Sequence, residues 1–142
     1  ILFSYSNKAH HGYLGDSVLG EWCNLGAGTT NSNLKNNARE VKIWTPGGEL
    51  GAGTKCGVMM GDYSRTAINT SINTGTVIGV GCNVFGPGLT PRYIPSFSWG
   101  SDGVQRYELE KALLDISEWK KLKGEELGED ERSILKYVFD KY

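Results

Sequence analysis

The sequence predicts an all-β domain over residues 1–100, folded as a parallel β-helix of hexapeptide repeats, and an α-helical tail over residues 101–142. Three features predict this division. Apolar residues recur every six positions in the first part alone. Eighteen of the 20 glycines lie at or before Gly103. Residues 1–100 carry 7 Lys/Arg and 5 Asp/Glu, a net charge of +2, whereas the tail carries 8 and 11, a net charge of −3.

The repeat keeps one frame through five consecutive hexads that begin at Met60. The large positions are Met60, Thr66, Ile72, Ile78 and Val84, and the small fifth positions are Ser64, Thr70, Thr76, Cys82 and Gly88. Upstream, the same frame gives large Tyr13, Leu19 and Leu25, and small Ser17, Cys23 and Thr29. A period of six fits neither a helix nor a simple alternation. It predicts a three-sided prism in which each hexad supplies one strand and one corner, with both marked positions facing inward.

A glycine-rich antiparallel sandwich is the alternative, but it would show a period of two and irregular loops. Eight hexads make fewer than three coils, and so short a stack leaves strand edges open at its ends. We therefore expect the chain to be a fragment of a longer protein with a further domain upstream of Ile1.

The segment 31–57 interrupts the repeat and is predicted to be a loop inserted at one corner of the prism. It contains Lys35, Arg39 and a turn signal at Pro46-Gly47-Gly48. Long insertions in a solenoid leave from one corner and often carry binding residues. A loop without a function is the alternative.

The tail shows two apolar stripes with helical spacing. The first stripe comprises Leu109, Ala112, Leu113 and Ile116, and the second comprises Ile134, Leu135, Val138, Phe139 and Tyr142. Asp102 is expected to cap the start of the first helix. We expect two helices that pack on the last coil or on a neighbouring subunit.

Composition narrows the class of protein. The chain has a net charge of −1 and a pI of about 6.2, and it lacks the basic stripe that a nucleic-acid-binding protein normally carries. No apolar run approaches the ~20 residues that span a bilayer, and no leader pattern is present. The cysteines Cys23, Cys56 and Cys82 are odd in number and lack a CxxC spacing, so neither a disulfide framework nor a zinc site is expected. Reduced thiols in a cytoplasmic protein are the simplest interpretation.

The most specific pattern lies in residues 8–34. It reads His10, Tyr13-Leu14-Gly15-Asp16, Gly20, Asn24-Leu25-Gly26-Ala27-Gly28-Thr29 and Asn33. This ordered set resembles the acetyltransferase domain of the bifunctional enzymes that make UDP-N-acetylglucosamine, and the similarity spans roughly residues 7–90. A later segment also fits, with Gly61-Asp62, Ala67-Ile68-Asn69 and Gly79. The chain is most similar to variant forms in which a loop such as Asn33-Leu34-Lys35 precedes a hairpin-like insert.

The resemblance implies a left-handed β-helix, an exception to the usual right-handed crossover between parallel strands. It implies N-acetylation of glucosamine-1-phosphate by acetyl-CoA, in a homotrimer whose sites lie between adjacent prisms. It also implies an upstream nucleotidyltransferase domain, the only part for which Mg²⁺ is expected. We expect small-molecule partners and neither nucleic acid nor membrane.

The resemblance assigns three catalytic roles. His10 resembles the general base, which suits an imidazole with a pKa near neutrality. The backbone N–H of Ala27 resembles the oxyanion donor. Asn33 resembles the residue that positions the sugar and the base, whereas His11 receives no role.

The remaining residues are assigned to binding. Tyr13 and Asn24 resemble residues that hold the sugar phosphate, and Lys35 or Arg39 is expected to supply a cation to the phosphate. The acetyl-CoA groove is expected to use backbone groups of Ala67, Ile68 and Gly86.

Each assignment has an alternative. His10 can be a surface histidine, Tyr13 also occupies an inward position, and the two asparagines can form corner turns. Cys23 and Cys82 are interpreted as core thiols and not as nucleophiles. For the whole chain, the alternatives are a non-catalytic trimerisation module of a sugar-phosphate nucleotidyltransferase, and an acyltransferase for another amino sugar.

Overall fold

The computed structural model describes all residues, 1–142, and contains eleven β-strands and two α-helices. Nine strands are two residues long and pair in parallel. They are β1 (Val18–Leu19), β2 (Asn24–Leu25), β3 (Thr30–Asn31), β6 (Met59–Met60), β7 (Arg65–Thr66), β8 (Ser71–Ile72), β9 (Val77–Ile78), β10 (Asn83–Val84) and β11 (Tyr93–Ile94). The parallel pairing rules out the antiparallel sandwich.

The short strands form three sheets, which we call the first, second and third faces. The first face has the order β1-β6-β9-β11, the second has β2-β7-β10, and the third has β3-β8. Along the chain the short strands visit the three faces in turn, and between β10 and β11 the third face is represented by the parallel bridge of Leu89 to Ser71. This order is compatible with a parallel β-helix. The left-handed sense stays a prediction.

The second residue of most strands points inward, because the side chains of a strand alternate between its two sides. Together with Cys23, Val58 and Cys82, which directly precede strands, these inward residues build a single apolar core along the column. Its strand residues are Leu19, Leu25, Met60, Ile72, Ile78, Val84 and Ile94. The predicted inward stripe is thus largely confirmed. Gly88 and Tyr13 are the exceptions, since both are exposed.

Tyr13 was expected to face inward, and that expectation is wrong, because 55% of the residue is exposed. Leu14, the next residue, packs against the core in its place. The next coil along the chain contributes the buried side chain of Asn31. Its amide bonds both backbone groups of Gly15, accepting from the N–H at 2.9 Å and donating to the carbonyl at 3.0 Å. A polar side chain is therefore tolerated at this point of the core.

The column is longer than the repeat predicts. Leu2 bridges Leu19 and Asn7 bridges Asn24, which adds a coil before β1. Trp99 bridges Asn83 at the other end of the second face. These terminal coils are shorter than three full hexads, so they fall outside the hexad frame.

The insert is a β-hairpin. Val18 pairs with Met59, whereas Met59 pairs with Val77, so the coil after β1 contains more than twice as much chain as the next one. The extra residues form β4 (Lys42–Thr45) and β5 (Gly48–Gly51), which pair antiparallel across the predicted turn. β3 still belongs to the column, so the insert begins after residue 31.

The tail folds back over the column. Helices α1 (Leu109–Lys121) and α2 (Glu129–Lys141) share a second apolar core with Phe97 and Tyr107 of the preceding segment. The expected cap at Asp102 is wrong, because this carboxylate accepts the N–H of Val104 and α1 begins later. Neither helix has the length and apolar character that a membrane span requires.

The second face is covered by α1. Arg65 points outward from β7 yet is buried, because its guanidinium lies 5.6 Å from the Trp119 ring centre and donates to the carbonyl of Asp115 at 3.4 Å. Nearby, Lys120 of α1 forms a 2.6 Å ion pair with Glu131 of α2. The tail is thus an integral part of the domain.

Candidate functional site

Several predicted residues meet at the corner between the second and third faces. We call this the His10 corner and define it as residues 10–12, 26–28, 67–69 and 85–87. The corner is continuous because its coils contact each other directly. The N–H of Gly28 donates to the carbonyl of His11 at 3.0 Å, and the N–H of Asn69 donates to the carbonyl of Ala27 at 2.8 Å. The structure therefore brings together the predicted base, the predicted oxyanion donor and the predicted acetyl-CoA groove.

The loop that carries His10 is held by Lys8. The Lys8 ammonium donates to the carbonyl of His10 at 2.7 Å and to that of His11 at 2.8 Å. His10 itself is exposed, and these backbone contacts leave its imidazole outside the column. The side chain of His11, for which no role was predicted, lies against the stacked coils, with Nε2 3.3 Å from the position that a Cβ on Gly28 would take.

The backbone of Ala27 presents an unpaired donor. Its N–H donates to no group of the chain, whereas its neighbour Gly26 donates to Thr66 at 3.1 Å. Gly28 follows with a positive φ of +77°, and a Cβ there would lie 2.1 Å from Asn69 Oδ1. Close stacking of the coils thus requires glycine beside Ala27.

The predicted acetyl-CoA groove needs a correction at Ala67. Its N–H donates to Val84 at 2.9 Å, and its carbonyl already accepts from the Thr29 and Thr70 hydroxyls at 3.2 and 2.8 Å. Both backbone groups of Ala67 are therefore occupied within the column.

The other two residues of the groove differ from Ala67. Ile68 has an exposed side chain and an N–H without a partner in the chain. Gly86 is exposed with φ +143°, and a Cβ there would lie 2.4 Å from Ser101 Oγ. Ile68 is the better candidate for a backbone contact.

A polar trio of Tyr13, Asp16 and Asn33 forms at the next corner, between the third and first faces. The amide nitrogen of Asn33 donates to Asp16 Oδ2 at 2.6 Å and to the Tyr13 hydroxyl at 3.0 Å. The Tyr13 ring folds back over Gly15, where a Cβ would lie 2.1 Å from the phenolic oxygen. The structure therefore joins two predicted residues directly, and it adds Asp16, which the motif included but to which no role was assigned.

The two predicted cations lie in the insert. Lys35 is half-buried and its ammonium donates to the carbonyl of Glu40 at 2.5 Å. Arg39 is exposed, and its guanidinium takes part in none of the ion pairs of the chain. Of the two, Arg39 is the freer to bind a phosphate.

Asn24 is not part of either group. It lies on the second face, where its Oδ1 accepts from the Asn7 amide at 3.3 Å. It lines a small cleft together with Tyr5, Trp22, Trp119 and Lys123. Its predicted contact with a sugar phosphate stays a prediction.

The His10 corner is an open surface in the single chain. Of the five cavities, none includes His10, Ala27 or Asn33 in its lining. No group of three or more His, Cys, Asp or Glu side chains in residues 1–142 has the geometry to hold a metal ion.

The cysteine thiols lie away from the corner surface. Cys23 and Cys82 are buried, and burial raises the pKa of each thiol to about 11. Because the thiolate is the reactive form, these residues are inert core thiols, as the sequence predicted.

Comparisons with known proteins identify relatives of the chain. It is 33% identical over 96 residues to "Bifunctional protein GlmU" of Methanocaldococcus jannaschii, which covers 68% of the chain and 24% of that relative. It is 37% identical over 86 residues to "Bifunctional sugar-1-phosphate nucleotidylyltransferase/acetyltransferase" of Sulfurisphaera tokodaii, covering 60% and 21%. It is 33% identical over 79 residues to "Bifunctional protein GlmU" of Methanococcus maripaludis, covering 56% and 19%.

No family model matches the chain. The shared segment spans about a quarter or less of the length of the curated relatives that it matches. All three names describe bifunctional proteins, and one of them specifies nucleotidylyltransferase and acetyltransferase parts. The parallel column with its hairpin insert is compatible with the β-helix that the resemblance implies. The chain is thus homologous to GlmU-type bifunctional proteins over 56–68% of its length, and this similarity is consistent with the acetyltransferase domain of that family.

Proposed function

We propose that this domain transfers an acetyl group from acetyl-CoA to the amine of glucosamine-1-phosphate, in the synthesis of UDP-N-acetylglucosamine. The observation that carries the proposal is the unpaired Ala27 N–H, which lies on the same corner as the loop of His10. A base and an oxyanion donor on one accessible edge are what acyl transfer to an amine requires. The similarity to the S. tokodaii protein, whose name includes acetyltransferase, supports this chemistry.

The proposed reaction uses few groups of the chain. His10 accepts the proton that the amine nitrogen loses as it attacks the thioester carbonyl carbon. Ala27 N–H donates to the carbonyl oxygen while that oxygen gains negative charge. The carbon–sulfur bond then breaks, and the proton held by His10 passes to the departing sulfur to give a free thiol.

The proposed acceptor is held by side chains of the trio and of the insert. Tyr13 and Asn33 bind the sugar, Arg39 or Lys35 pairs with its phosphate, and Ile68 donates its N–H to the pantetheine arm. Asn24 and Gly86 keep the binding roles that the resemblance implies.

The proposed assembly is a left-handed β-helix in a homotrimer, joined in the full protein to an upstream nucleotidyltransferase domain. The open shape of the His10 corner supports a trimer, because a neighbouring prism would supply the missing wall. The names of the relatives support the second domain, since each describes a bifunctional protein. Any Mg²⁺ requirement belongs to that domain.

The direct test is release of free thiol from acetyl-CoA in the presence of glucosamine-1-phosphate. His10→Ala should lower kcat by about 10²- to 10⁴-fold, the range that a general base contributes. The matched control is His11→Gln, which removes the neighbouring imidazole but keeps a polar side chain, and which should lower kcat far less. Equal turnover in the wild type and His10→Ala would exclude His10 as the base.

A panel of amino-sugar phosphates resolves the acceptor. The name of the S. tokodaii relative specifies only a sugar 1-phosphate, which favours testing galactosamine-1-phosphate beside glucosamine-1-phosphate. A preference for another amino sugar would correct the substrate and retain the chemistry. A tight trimer that neither binds acetyl-CoA by calorimetry nor turns over any acceptor would indicate the assembly module instead.

A further inference from the structure

We infer that Asp16 is a positioning residue that fixes the direction of the hydrogen bonds in the site of the acceptor sugar. Its carboxylate forces Asn33 to present its oxygen and Tyr13 to present its hydroxyl hydrogen. The inference rests on the proposed function and names a residue to which neither the motif nor the relatives give a role. It is carried by the geometry of the polar trio of Tyr13, Asp16 and Asn33.

The polarity follows from the hydrogen-bonding capacity of each group. A carboxylate has only acceptors, whereas a primary amide has both a donor nitrogen and an acceptor oxygen. The atom of Asn33 that lies 2.6 Å from Asp16 Oδ2 must therefore be the nitrogen. Without the carboxylate, the amide could exchange the positions of its oxygen and nitrogen with little cost, since its two ends are nearly the same size.

The consequence passes from Asn33 to Tyr13. The same nitrogen lies 3.0 Å from the phenolic oxygen, so Tyr13 accepts in this contact. Its own O–H is then free to donate away from the trio. One carboxylate thus determines the hydrogen-bonding direction of two side chains that the proposed function assigns to the acceptor.

The two directions match an amino-sugar phosphate. Asn33 Oδ1 is left as an acceptor for the N–H groups of an amine or for a sugar hydroxyl. The Tyr13 O–H is left as a donor for a phosphate or hydroxyl oxygen. A reversed amide would oppose its N–H groups to those of the amine, which leaves donors facing donors.

The backbone of the trio is anchored. The carbonyl of Asp16 accepts the N–H of Gly57 at 2.8 Å, and the carbonyl of Asn33 accepts the N–H of Cys56 at 2.9 Å. Both partners lie where the insert rejoins the column. Asp16 also has a positive φ of +48°, a conformation that Asp and Asn adopt more readily than most residues. The carboxylate is therefore held in a defined place beside Asn33.

The test compares three variants by steady-state kinetics with the amino-sugar phosphate and acetyl-CoA. Asp16→Gly removes the carboxylate and tolerates the positive φ. Asp16→Asn keeps an oxygen acceptor in the same conformation. Asp62→Gly is the matched control, because Asp62 is another corner carboxylate, whose Oδ1 accepts the Glu21 N–H at 2.8 Å away from the trio.

Asp16→Gly should lower kcat/KM for the acceptor by about 10- to 100-fold, the value of a hydrogen bond to a charged group. KM for acetyl-CoA should change less than twofold, which a general loss of structure would not produce. Asp16→Asn should recover part of the loss, and Asp62→Gly should behave like the wild type. Identical kinetics in Asp16→Gly and Asp62→Gly, with an active wild type, would overturn the inference.

A second measurement does not depend on turnover. The side-chain amide of Asn33, assigned by its absence in Asn33→Asp, can be followed by ¹⁵N-edited NMR. In the wild type its two protons should exchange slowly with water, and Asp16→Gly should increase that rate at least tenfold. An unchanged exchange rate would refute the role of Asp16. An inactive wild type with the expected NMR change would refute only the acetyltransferase function.

Discussion

Gly28 offers a quantitative test of how closely the coils stack at the His10 corner. In Gly28→Ala, two costs add. Placing a Cβ at φ +77° costs about 1–2 kcal/mol, as for any left-handed non-glycine residue. The new Cβ would also lie 2.1 Å from Asn69 Oδ1, and such overpacking costs about 1–3 kcal/mol. We expect the free energy of unfolding to fall by about 2–5 kcal/mol in total.

Two further variants separate these costs. Gly124 also has φ +77°, but a Cβ there would meet no atom within 4 Å, so Gly124→Ala should show the backbone cost alone. In Gly28→Ala/Asn69→Gly the clashing amide is removed at a position whose φ of +57° suits glycine, and the overpacking cost should be recovered.

The assay is urea unfolding at one fixed protein concentration, because association would make stability depend on concentration. Equal losses in Gly28→Ala and Gly124→Ala would show that the coils do not approach as closely as the structure describes. A double variant that is no more stable than Gly28→Ala would show that Asn69 is not the obstacle.

Three further results are expected. Ile72→Ala should lower the free energy of unfolding by about 2–5 kcal/mol because Ile72 is in the core, whereas exposed Leu122→Ala should stay within about 0.5 kcal/mol, both by urea unfolding. The thiols, including Cys82 with its pKa raised by burial to about 11, should resist an aromatic disulfide reagent at pH 8 until the protein is unfolded, and fast native labelling would contradict this. Burial raises the pKa of Glu131, but the hydrogen bonds to its carboxylate, led by the one from Lys120, outweigh burial and lower the pKa in the folded state. The carboxylate therefore stabilises the fold at a pH above its unfolded pKa, and this stabilisation is lost as the pH falls through the folded pKa. Glu131→Gln should remove this acid-side loss in thermal unfolding followed between pH 3 and 7, and an unchanged pH profile would refute the contribution.

The period of six predicted the parallel strands because it reports directly on which side chains face inward. It underestimated the column because Leu2 and Trp99 belong to coils of other lengths, which a fixed step does not detect. It misplaced Tyr13 for a related reason, since the first coil is shorter than the frame assumes and the inward position falls on Leu14. Helix positions were predicted from apolar stripes, whereas α1 begins only at Leu109, after Tyr107 has entered the tail core, and Asp102 accepts the N–H of Val104 instead of capping the helix.

For the candidate site, too, part could be predicted from the sequence and part depends on how the coils stack. The family resemblance predicted roles for His10, Asn33 and the backbone N–H of Ala27, and these roles stay predictions. Which N–H groups are free depends on coil stacking, so the sequence could not show that Ala67 is occupied while Ile68 and Ala27 are not. Nor could it show the orientation of Asn33, which depends on the carboxylate of Asp16 in the preceding coil.

The position of the tail separates Asn24 from the other proposed substrate residues. α1 covers the second face, and Trp119 and Lys123 border the cleft that Asn24 lines. Tyr13 and Asn33 lie beyond the His10 corner, on the side of the third face that α1 leaves open. Under the proposed function, an acceptor sugar would approach from the third-face side to meet the trio and Ala27. Asn24 can join that contact by releasing Asn7, to which it is bonded here, and otherwise its amide serves to join two coils beneath the tail.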